Sequence, residues 1–478
     1  MRVVNSFSSQ NDTLPPTPPE AWEPLLRMAR LVRQPLERFL QIQAASGILL
    51  LLTAAVAVAW ANSPWSDAYF HLWRTPIGVR VGDFVFERSL EWFVNDVLMV
   101  IFFFVVGMEI RREIHHGELS EWRRAALPAV AALGGMLAPA AFYSVIAGQP
   151  PTHTGWGIPM ATDIAFAVGI LTLLGRRVPA ALRVLLLALA VIDDLGAIVV
   201  IALFYSEGVR FSGLGVAALG FLGIFAMQRF GVRSKFSYIL PSAVAWAGIY
   251  SAGIHPTIAG VLVGMVTPVR AWLGPEGFMQ GVQQELAHLQ SLPEKERSAH
   301  ELAVSMEKVD TVRREAISPL EGLLHALHPW VAFGIMPLFA LANAGVALSF
   351  GGIDRSALDV IAAVSVGLVV GKPVGILLAC WATLRLRLSE LPRGLTFIHL
   401  LVLGTVAGIG FTMALFVAQL AFSGPSQASL LSAAKLGIMG ASLLAMLLGL
   451  VLGRVLLREQ GLEGAAQTAD EAESSTAL

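Results

Sequence analysis

The chain is short of charged residues and of cysteine, and each shortage narrows what it can be. Charged side chains make up 14% of its 478 residues and hydrophobic ones 55%, whereas a soluble protein carries about 25% charged residues. The one cysteine, Cys380, lies in an apolar run and has no second cysteine for an intrachain disulfide. The net charge of −1 disfavours nucleic acid as a partner, because proteins that bind it are usually basic. These features favour a membrane protein.

The two ends of the chain lack the apolar character of the rest. Residues 1–39 begin polar and become rich in proline between positions 15 and 19, without the pattern of a cleavable signal peptide. Residues 456–478 are small and acidic. We interpret the first segment as a disordered juxtamembrane tail in the cytoplasm and the second as a disordered acidic tail. Residues 40–455 then form one membrane domain.

Long apolar runs recur between these tails, each close to the ~20 residues that cross a bilayer as a helix. The fold class is therefore predicted to be all-α integral membrane, with about twelve spans. The predicted spans are 40–61, 90–110, 125–147, 156–175, 180–204, 211–229, 238–252, 255–270, 325–348, 358–384, 395–421 and 428–453. The seventh and eighth are short and lie close together.

The distribution of lysine and arginine predicts the orientation of these spans. If both termini lie in the cytoplasm, most of the 33 basic residues fall on the cytoplasmic side. This asymmetry is what the positive-inside rule requires. We therefore predict a multi-pass membrane protein with both termini in the cytoplasm.

Two connections between the spans are unusually long. Residues 62–89 form a long external loop, and within it residues 79–86 alternate in hydrophobicity around a Gly-Asp pair. This pattern is typical of a β-hairpin, which could pair with a second subunit to form a homodimer. Residues 271–320 are polar and rich in Gln, Glu and Lys, and we predict a helical insertion on the cytoplasmic side.

Five ionisable residues stand out inside the predicted spans, where a charge costs several kcal/mol. Asp96 lies in the outer half of its span, and structural pairing is the favoured interpretation for it. The other four are Asp163, the adjacent pair Asp193 and Asp194, and Lys372. Three carboxylates against one lysine leave acid that only protons or a cation can balance. Adjacent helical residues point ~100° apart, so one aspartate can pair with the lysine while the other lines a cavity. A carboxylate there can hold either a proton or a hard cation.

The fourth and eleventh spans each contain a weak point. Pro159 removes a backbone donor four residues before Asp163, and residues 404–410 include three glycines. One glycine-rich span would usually indicate only close helix packing. Two interrupted spans, one in each half of a chain, are the best sequence indication of a transport site.

Short motifs around these residues resemble the signatures of the NhaA sodium/proton antiporters, in order from about residue 40 to 455. The motifs are residues 161–167 (ATDIAFA), 191–197 (VIDDLGA), 253–257 (GIHPT), 328–331 (HPWV), 342–345 (ANAG), 371–375 (GKPVG) and 408–413 (GIGFTM). The resemblance implies inverted repeats in which the two interrupted helices, spans 4 and 11, cross.

The resemblance also implies a function. It implies extrusion of Na⁺ or Li⁺ in exchange for protons across a bacterial inner membrane, without a cofactor and without enzymatic activity. Asp194 would be the principal cation carboxylate with Asp193 beside it, and Thr162 could add a hydroxyl oxygen. Asp163 and Lys372 would compensate the helix ends at the crossing, since helix N-termini favour a carboxylate and C-termini an ammonium. If both Asp193 and Asp194 release protons when one Na⁺ binds, the exchange is electrogenic.

The family carries a pH-responsive cluster at its cytoplasmic funnel, and part of it is recognisable here. Glu109, Arg112 and Glu113 match it on the second span, and His325 and His328 match it on the ninth. The family usually has an acid directly before the first histidine, where this chain has Leu324. We expect Glu321, one turn earlier, to substitute for it. The alternatives are ordinary pairing and capping at helix ends, with the pH response left to Asp193 and Asp194.

Two other functions use similar residues. An intramembrane aspartyl protease needs two aspartates on separate helices that face each other, whereas here two are adjacent and a lysine intrudes. A sodium-coupled symporter shares broken helices and a cation site, but it also needs polar contacts for an organic solute. These spans contain no surplus of polar residues, so antiport is favoured over symport.

Overall fold

The structure is a computed structural model that describes residues 45–457 apart from 83, 207, 233, 294–297, 348–353 and 393. The predicted tails lie outside the described residues, except for 456 and 457. Among the described residues, sixteen helices are labelled α1 to α16 and two strands β1 and β2, each in chain order.

 

The helices are α1 (Ala45–Ala61), α2 (Ser66–Arg74), α3 (Leu90–His116), α4 (Trp122–Ala147), α5 (Ile164–Leu173), α6 (Ala180–Phe204), α7 (Phe211–Arg229), α8 (Ile239–Ser251), α9 (Thr257–Val266), α10 (Gly274–Ser291), α11 (Ala299–Ala316), α12 (Pro319–Asn343), α13 (Arg355–Arg385), α14 (Phe397–Ala407), α15 (Phe411–Ala421) and α16 (Ala428–Leu456). A 3-10 helix, Thr152–Met160, precedes α5. Shorter 3-10 turns are Glu118–Ser120, Gly175–Arg177, Lys235–Tyr238 and Pro425–Gln427. Three long helices contain π-helical segments: Phe93–Leu98 in α3, Val331–Ile335 in α12 and Gly367–Gly371 in α13.

Among the described residues, seven helices are long and apolar enough to cross a membrane. They are α3, α4, α6, α7, α12, α13 and α16. The number rises to ten if each of three bent helix pairs counts as one span. The prediction of a helical, multi-spanning protein is confirmed, while the count of twelve stays a prediction. The predicted seventh and eighth spans correspond to α8 and α9, with only 13 and 10 residues.

Both predicted interruptions are present. The 3-10 helix and α5 are bent by 44° across residues 161–163, and α14 and α15 by 49° across residues 408–410. The first half of the earlier pair is 3-10 helical rather than α-helical, in a stretch with Gly155, Gly157 and Pro159, residue types that disfavour the α-helix. The two breaks touch, because the Asp163 N–H donates to the Ile409 carbonyl at 2.8 Å.

Close backbone packing brings α13 against α4. A Cβ atom on Gly375 would lie 2.1 Å from the carbonyl oxygen of Gly134, and a Cβ on Gly134 would lie 2.3 Å from the Gly375 carbonyl oxygen. Glycine at both positions therefore lets the two backbones approach, as small residues do between membrane helices. Lys372 lies one turn before Gly375, so this packing fixes the helix that carries the lysine.

The long connection between the first two predicted spans contains more structure than the sequence predicted. The expected hairpin is present, with β1 (Pro76–Val81) antiparallel to β2 (Phe84–Ser89) and Val79 opposite Phe86. The helix α2, which precedes it, was not predicted. It turns by 111° from α1 and is anchored by Tyr69, whose hydroxyl donates to the Leu341 carbonyl at 2.7 Å.

Most of the described part of the polar segment 271–320 is helical, as predicted. It forms the antiparallel pair α10 and α11, in which Lys308 Nζ lies 3.4 Å from Glu285 Oε1. Asp310 pairs with Arg313 and Arg314 on its own helix, at 2.6 and 2.5 Å.

Candidate ion-binding site

The middle of α6 carries two adjacent buried aspartates. Asp193 is 0% exposed and Asp194 is 1% exposed. Their neighbours along the helix are leucine, isoleucine, valine, alanine and glycine. These apolar residues favour the helix and its burial. Both carboxylates therefore lie in the protein interior, away from bulk solvent. Each therefore needs a compensating charge, proton or hydrogen-bond donor.

Asp193 is compensated by a lysine. Lys372 Nζ lies 2.7 Å from Asp193 Oδ2, and both side chains are completely buried. The Thr162 hydroxyl lies 2.6 Å from the same carboxylate oxygen. The other oxygen, Oδ1, is buried and has no hydrogen-bond partner among the described residues. Protein groups thus bind one oxygen of this carboxylate, Oδ2, and leave the other, Oδ1, without a hydrogen bond.

Asp194 has no such support. Within the described part of the chain its side chain accepts no hydrogen bond, and its Oδ1 atom is buried and unpartnered. A carboxylate in this setting is costly unless a proton or a cation binds it. Among the described residues, Asp194 thus receives less compensation from protein groups than Asp193 does.

Asp163 closes the N-termini of both half-helices at the breaks. Its Oδ1 accepts from the Phe166 N–H of α5 at 3.1 Å, and its Oδ2 accepts from the Thr412 N–H of α15 at 3.2 Å and from the Thr412 hydroxyl. The partial positive charge of two helix N-termini stabilises one carboxylate there. All of these contacts tie Asp163 to protein groups, unlike Asp194.

The opposite ends of the broken helices meet groups that donate hydrogen bonds. Lys372 Nζ donates to the carbonyl of Met160, the last residue of the 3-10 helix. The Thr162 hydroxyl lies 3.1 Å from the carbonyl of Ala407, the last residue of α14. The signs agree with the sequence expectation for Asp163 and Lys372, a carboxylate at the N-termini and an ammonium at a C-terminus.

In the described part of the chain, only two of the residues expected to respond to pH form an ion pair with each other. Glu109 Oε1 and His328 Nε2 lie 2.8 Å apart, which joins α3 to α12. Glu113 instead accepts the Glu118 backbone N–H at 2.7 Å.

The remaining members of the expected cluster make no such contact. Among the described residues, Arg112, Glu321 and His325 have no side-chain hydrogen bond or ion pair. Glu321 and His325 are exposed, and Leu324 between them is buried at 2%. The expected pairing of Glu321 with the histidines is thus not formed in this structure.

Residues 37–452 match the family described as Na+/H+ antiporter 1. The chain is 66% identical over 461 residues to Na(+)/H(+) antiporter NhaA 2 of Myxococcus xanthus, with 96% of the chain and 97% of that protein covered. It is 54% identical to NhaA 2 of Sorangium cellulosum, covering 96% and 98% of the two chains. It is 46% identical to NhaA of Bordetella petrii, covering 92% and 95%. The chain belongs to the NhaA family of Na⁺/H⁺ antiporters.

Membership in the NhaA family confirms the resemblance seen in the sequence motifs. The family is one of transporters and not of enzymes, and its bacterial members and the apolar helices described above indicate a multi-pass protein of the inner membrane. The comparisons give no support to a solute symporter.

Sequence reasoning missed the role of Thr412 in this NhaA site. The residue stands in a recognised motif, but no function was assigned to it. Its position carries a usable signal, because Thr412 lies in the first turn after the second break and Asp163 directly precedes the helix after the first. Ser442 was also missed: its hydroxyl oxygen accepts the Phe411 N–H at 3.2 Å. Together Asp163 and Ser442 accept from the first two N–H groups of α15.

Thr412→Val should lower the free energy of unfolding by about 1.5–3 kcal/mol, the contribution typical of a hydrogen bond to a charged group. The change keeps the shape of the side chain but removes the hydroxyl donor to buried Asp163. Unfolding of the purified protein in detergent measures it.

Thr405→Val is the matched control for that variant. Thr405 is also buried, but its hydroxyl donates only to the Leu401 carbonyl one turn earlier in the same helix, so we expect a smaller loss. Equal losses in the two variants would contradict a special role for the Thr412 hydroxyl.

Proposed function

We propose that this protein extrudes Na⁺ or Li⁺ in exchange for protons, with Asp194 as the principal cation carboxylate and Asp193 as the second. The observation that carries the proposal is the buried Asp194 carboxylate, which has no hydrogen bond in the described chain, beside an Asp193 that Lys372 neutralises. In an NhaA-family protein, such a group is the natural place for proton and cation to compete.

The geometry supports an exchange cycle in which the same oxygen atoms serve both ions. Without a cation, a proton neutralises Asp194, and Lys372 neutralises Asp193. Na⁺ or Li⁺ is a hard cation that binds oxygen ligands, and the open oxygens of Asp194 and Asp193 are available to it. The Thr162 hydroxyl oxygen, 2.6 Å from Asp193 Oδ2, would complete one side of the site.

We propose that this cycle is electrogenic. Binding one cation requires Asp194 to lose its proton, and Lys372 releases a second proton when its pair with Asp193 opens. If two protons leave for each Na⁺ that enters the site, each cycle moves one net charge across the membrane. A membrane potential then acts on the rate, and the exchanger contributes to pH and sodium homeostasis.

We propose the family's inverted-repeat architecture for the helices that hold the site, with twelve spans and both termini in the cytoplasm. The contact between the two breaks, through Asp163 and Ile409, supports a crossing of the interrupted helices there. The distribution of arginine and lysine between the two sides supports the orientation. Residues 40–455 would then form one membrane domain, with the α10–α11 pair as a cytoplasmic insertion.

The external hairpin supports assembly of a homodimer. The strands β1 and β2 form a two-stranded sheet, and Ile77, Val79 and Val85 are about half exposed. A small exposed sheet has edges that can pair with a strand of another chain. We propose that two copies of this protein pair through the hairpin.

We propose that the contact between Glu109 and His328 sets the pH at which exchange begins. Histidine changes its charge between pH 5 and 8, and loss of the imidazolium charge would make the funnel more attractive to cations as pH rises. Arg112 and Glu113 on α3 and Glu321 and His325 on α12 would modulate this field from nearby positions.

Glu109→Gln is expected to move the onset of exchange to lower pH, by roughly one pH unit. The protonated imidazole of His328 loses its carboxylate partner at 2.8 Å, so it releases its proton more readily. The activity–pH profile in proteoliposomes measures the shift, and maximal exchange should be nearly unchanged.

Glu321→Gln provides the comparison, because Glu321 makes no contact with either histidine. A larger shift from Glu321→Gln than from Glu109→Gln would favour the expectation drawn from the sequence. Unchanged profiles in both variants would assign the pH response to Asp193 and Asp194 alone.

The proposed exchange is tested by reconstituting the purified protein in liposomes that hold a proton gradient. Addition of Na⁺ or Li⁺ should dissipate the gradient, and imposing a membrane potential should change the rate. A gradient unaffected by either cation at every pH would refute the proposed function.

A further inference from the structure

Three side-chain amides meet at the C-terminal end of α12. Asn343, which is 0% exposed, donates through Nδ2 to Asn95 Oδ1 at 2.8 Å and to the Phe339 carbonyl at 2.9 Å. Its Oδ1 accepts from Gln419 Nε2 and, at 3.4 Å, from Asn95 Nδ2. Asn343 therefore uses both donor hydrogens and its acceptor oxygen within the protein. We call Asn95, Asn343 and Gln419 the amide cluster.

The amide cluster joins three separate parts of the fold. Asn95 lies in the π-helical segment of α3, Asn343 ends α12, and Gln419 lies on α15. A buried polar group inside a membrane protein is costly unless it is fully hydrogen-bonded. A satisfied network of this kind specifies one arrangement of the elements that carry it.

The amide cluster binds α15, the half-helix that also carries Thr412 next to the ion site. Gln419 lies seven residues after Thr412 on α15, two turns along nearly the same face. At one end of α15, Thr412 donates to Asp163, and near the other end Gln419 donates to Asn343. The α3–α12 pair to which Gln419 is tied is also joined at its other end, by Glu109 and His328.

We propose that Asn343, with Asn95 and Gln419, is a positioning residue that holds α15 against α3 and α12 in one access state of the transport cycle. This inference rests on the proposed exchange, which requires the site to open alternately to each side of the membrane. The broken helices move relative to their neighbours in that step, and the Gln419–Asn343 bond is broken or weakened in the opposite state. The amide cluster thereby biases the balance between the two states.

The role of the amide cluster is tested with the full-length protein reconstituted in a single orientation. The apparent KM for Na⁺ is measured from each face, since each value varies inversely with the fraction of protein open to that face. Loss of a contact made in only one state changes the ratio of the two KM values. Asn343→Ala and Gln419→Ala should each change it roughly three- to tenfold, in the same direction.

A role in packing alone predicts a different outcome. It would lower stability or the amount of active protein, but it would leave the ratio of the two KM values unchanged. Because Gln419 acts through Asn343, the double variant should change the ratio no more than Asn343→Ala alone. Gln419 is only partly buried, so Gln419→Ala decides the matter if Asn343→Ala does not fold.

Gln228→Ala is the matched control. Gln228 Nε2 donates to the Val266 carbonyl at 3.1 Å, which ties α7 to the end of α9 away from the broken helices, and its loss should leave the ratio unchanged. An unchanged ratio of the two KM values in Gln419→Ala would overturn the proposed role of the amide cluster. An equal change of that ratio in Gln228→Ala would also overturn it. A wild-type protein without Na⁺-dependent proton movement would instead refute the exchange itself.

Discussion

Asp194→Asn is expected to reduce Na⁺-dependent proton movement to the background of protein-free liposomes while the protein remains folded. The substitution keeps the shape of the side chain and removes both its charge and its ability to bind a proton. Asp194 accepts no hydrogen bond in the described chain, so an amide there breaks no existing contact. Dissipation of a proton gradient on addition of Na⁺, at several pH values, measures the effect.

Asp310→Asn is the control for that variant. Asp310 lies on α11 and pairs with Arg313 and Arg314, outside every span, so its loss should leave exchange unchanged. Normal exchange by Asp194→Asn would remove Asp194 from the mechanism. It would transfer the role of cation carboxylate to Asp193 or Asp163.

Lys372→Ala is expected to lower the free energy of unfolding by about 3–5 kcal/mol, because it leaves Asp193 charged and buried without its counter-ion. The Met160 carbonyl also loses its donor. Thermal or chemical unfolding in detergent measures the loss. Adding Asp193→Asn to Lys372→Ala should recover part of it, since the unpaired charge is then absent.

Lys435→Ala is the matched control for the lysine. Lys435 is 9% exposed on α16, and within the described residues it makes no hydrogen bond, so its removal should be less destabilising. The proposed pairing would be contradicted if Lys372→Ala unfolded like the wild type. A double variant as unstable as Lys372→Ala alone would also contradict it.

Much of the fold follows from the sequence because apolar length and helix breakers act locally. The runs now seen as α6 and α7 were predicted with the same bounds. Pro159 and the glycines at 408 and 410 marked both interruptions. The pairing of Asp193 with Lys372 could also be anticipated as the natural pair among the buried charges.

Other features depend on contacts between residues far apart in the chain. Glu109 and His328 are separated by 219 positions, and no local pattern selects this pair over Glu321 and His325. The i, i+4 spacing of Glu321 and His325 is compatible with pairing, but both side chains are exposed, where water competes and such pairs contribute little. The amide cluster likewise needs three helices in place before its side chains can meet.

The central claim, that Na⁺ and protons compete for the carboxylates at Asp193 and Asp194, is tested most directly by proton release from the purified protein. Na⁺ is added to the protein in weakly buffered detergent solution, and the released protons are counted with a pH indicator. The account predicts saturable release in the wild type, more than one proton for each Na⁺ bound, and none in Asp194→Asn. Na⁺ binding without proton release, or equal release from Asp194→Asn, would contradict it.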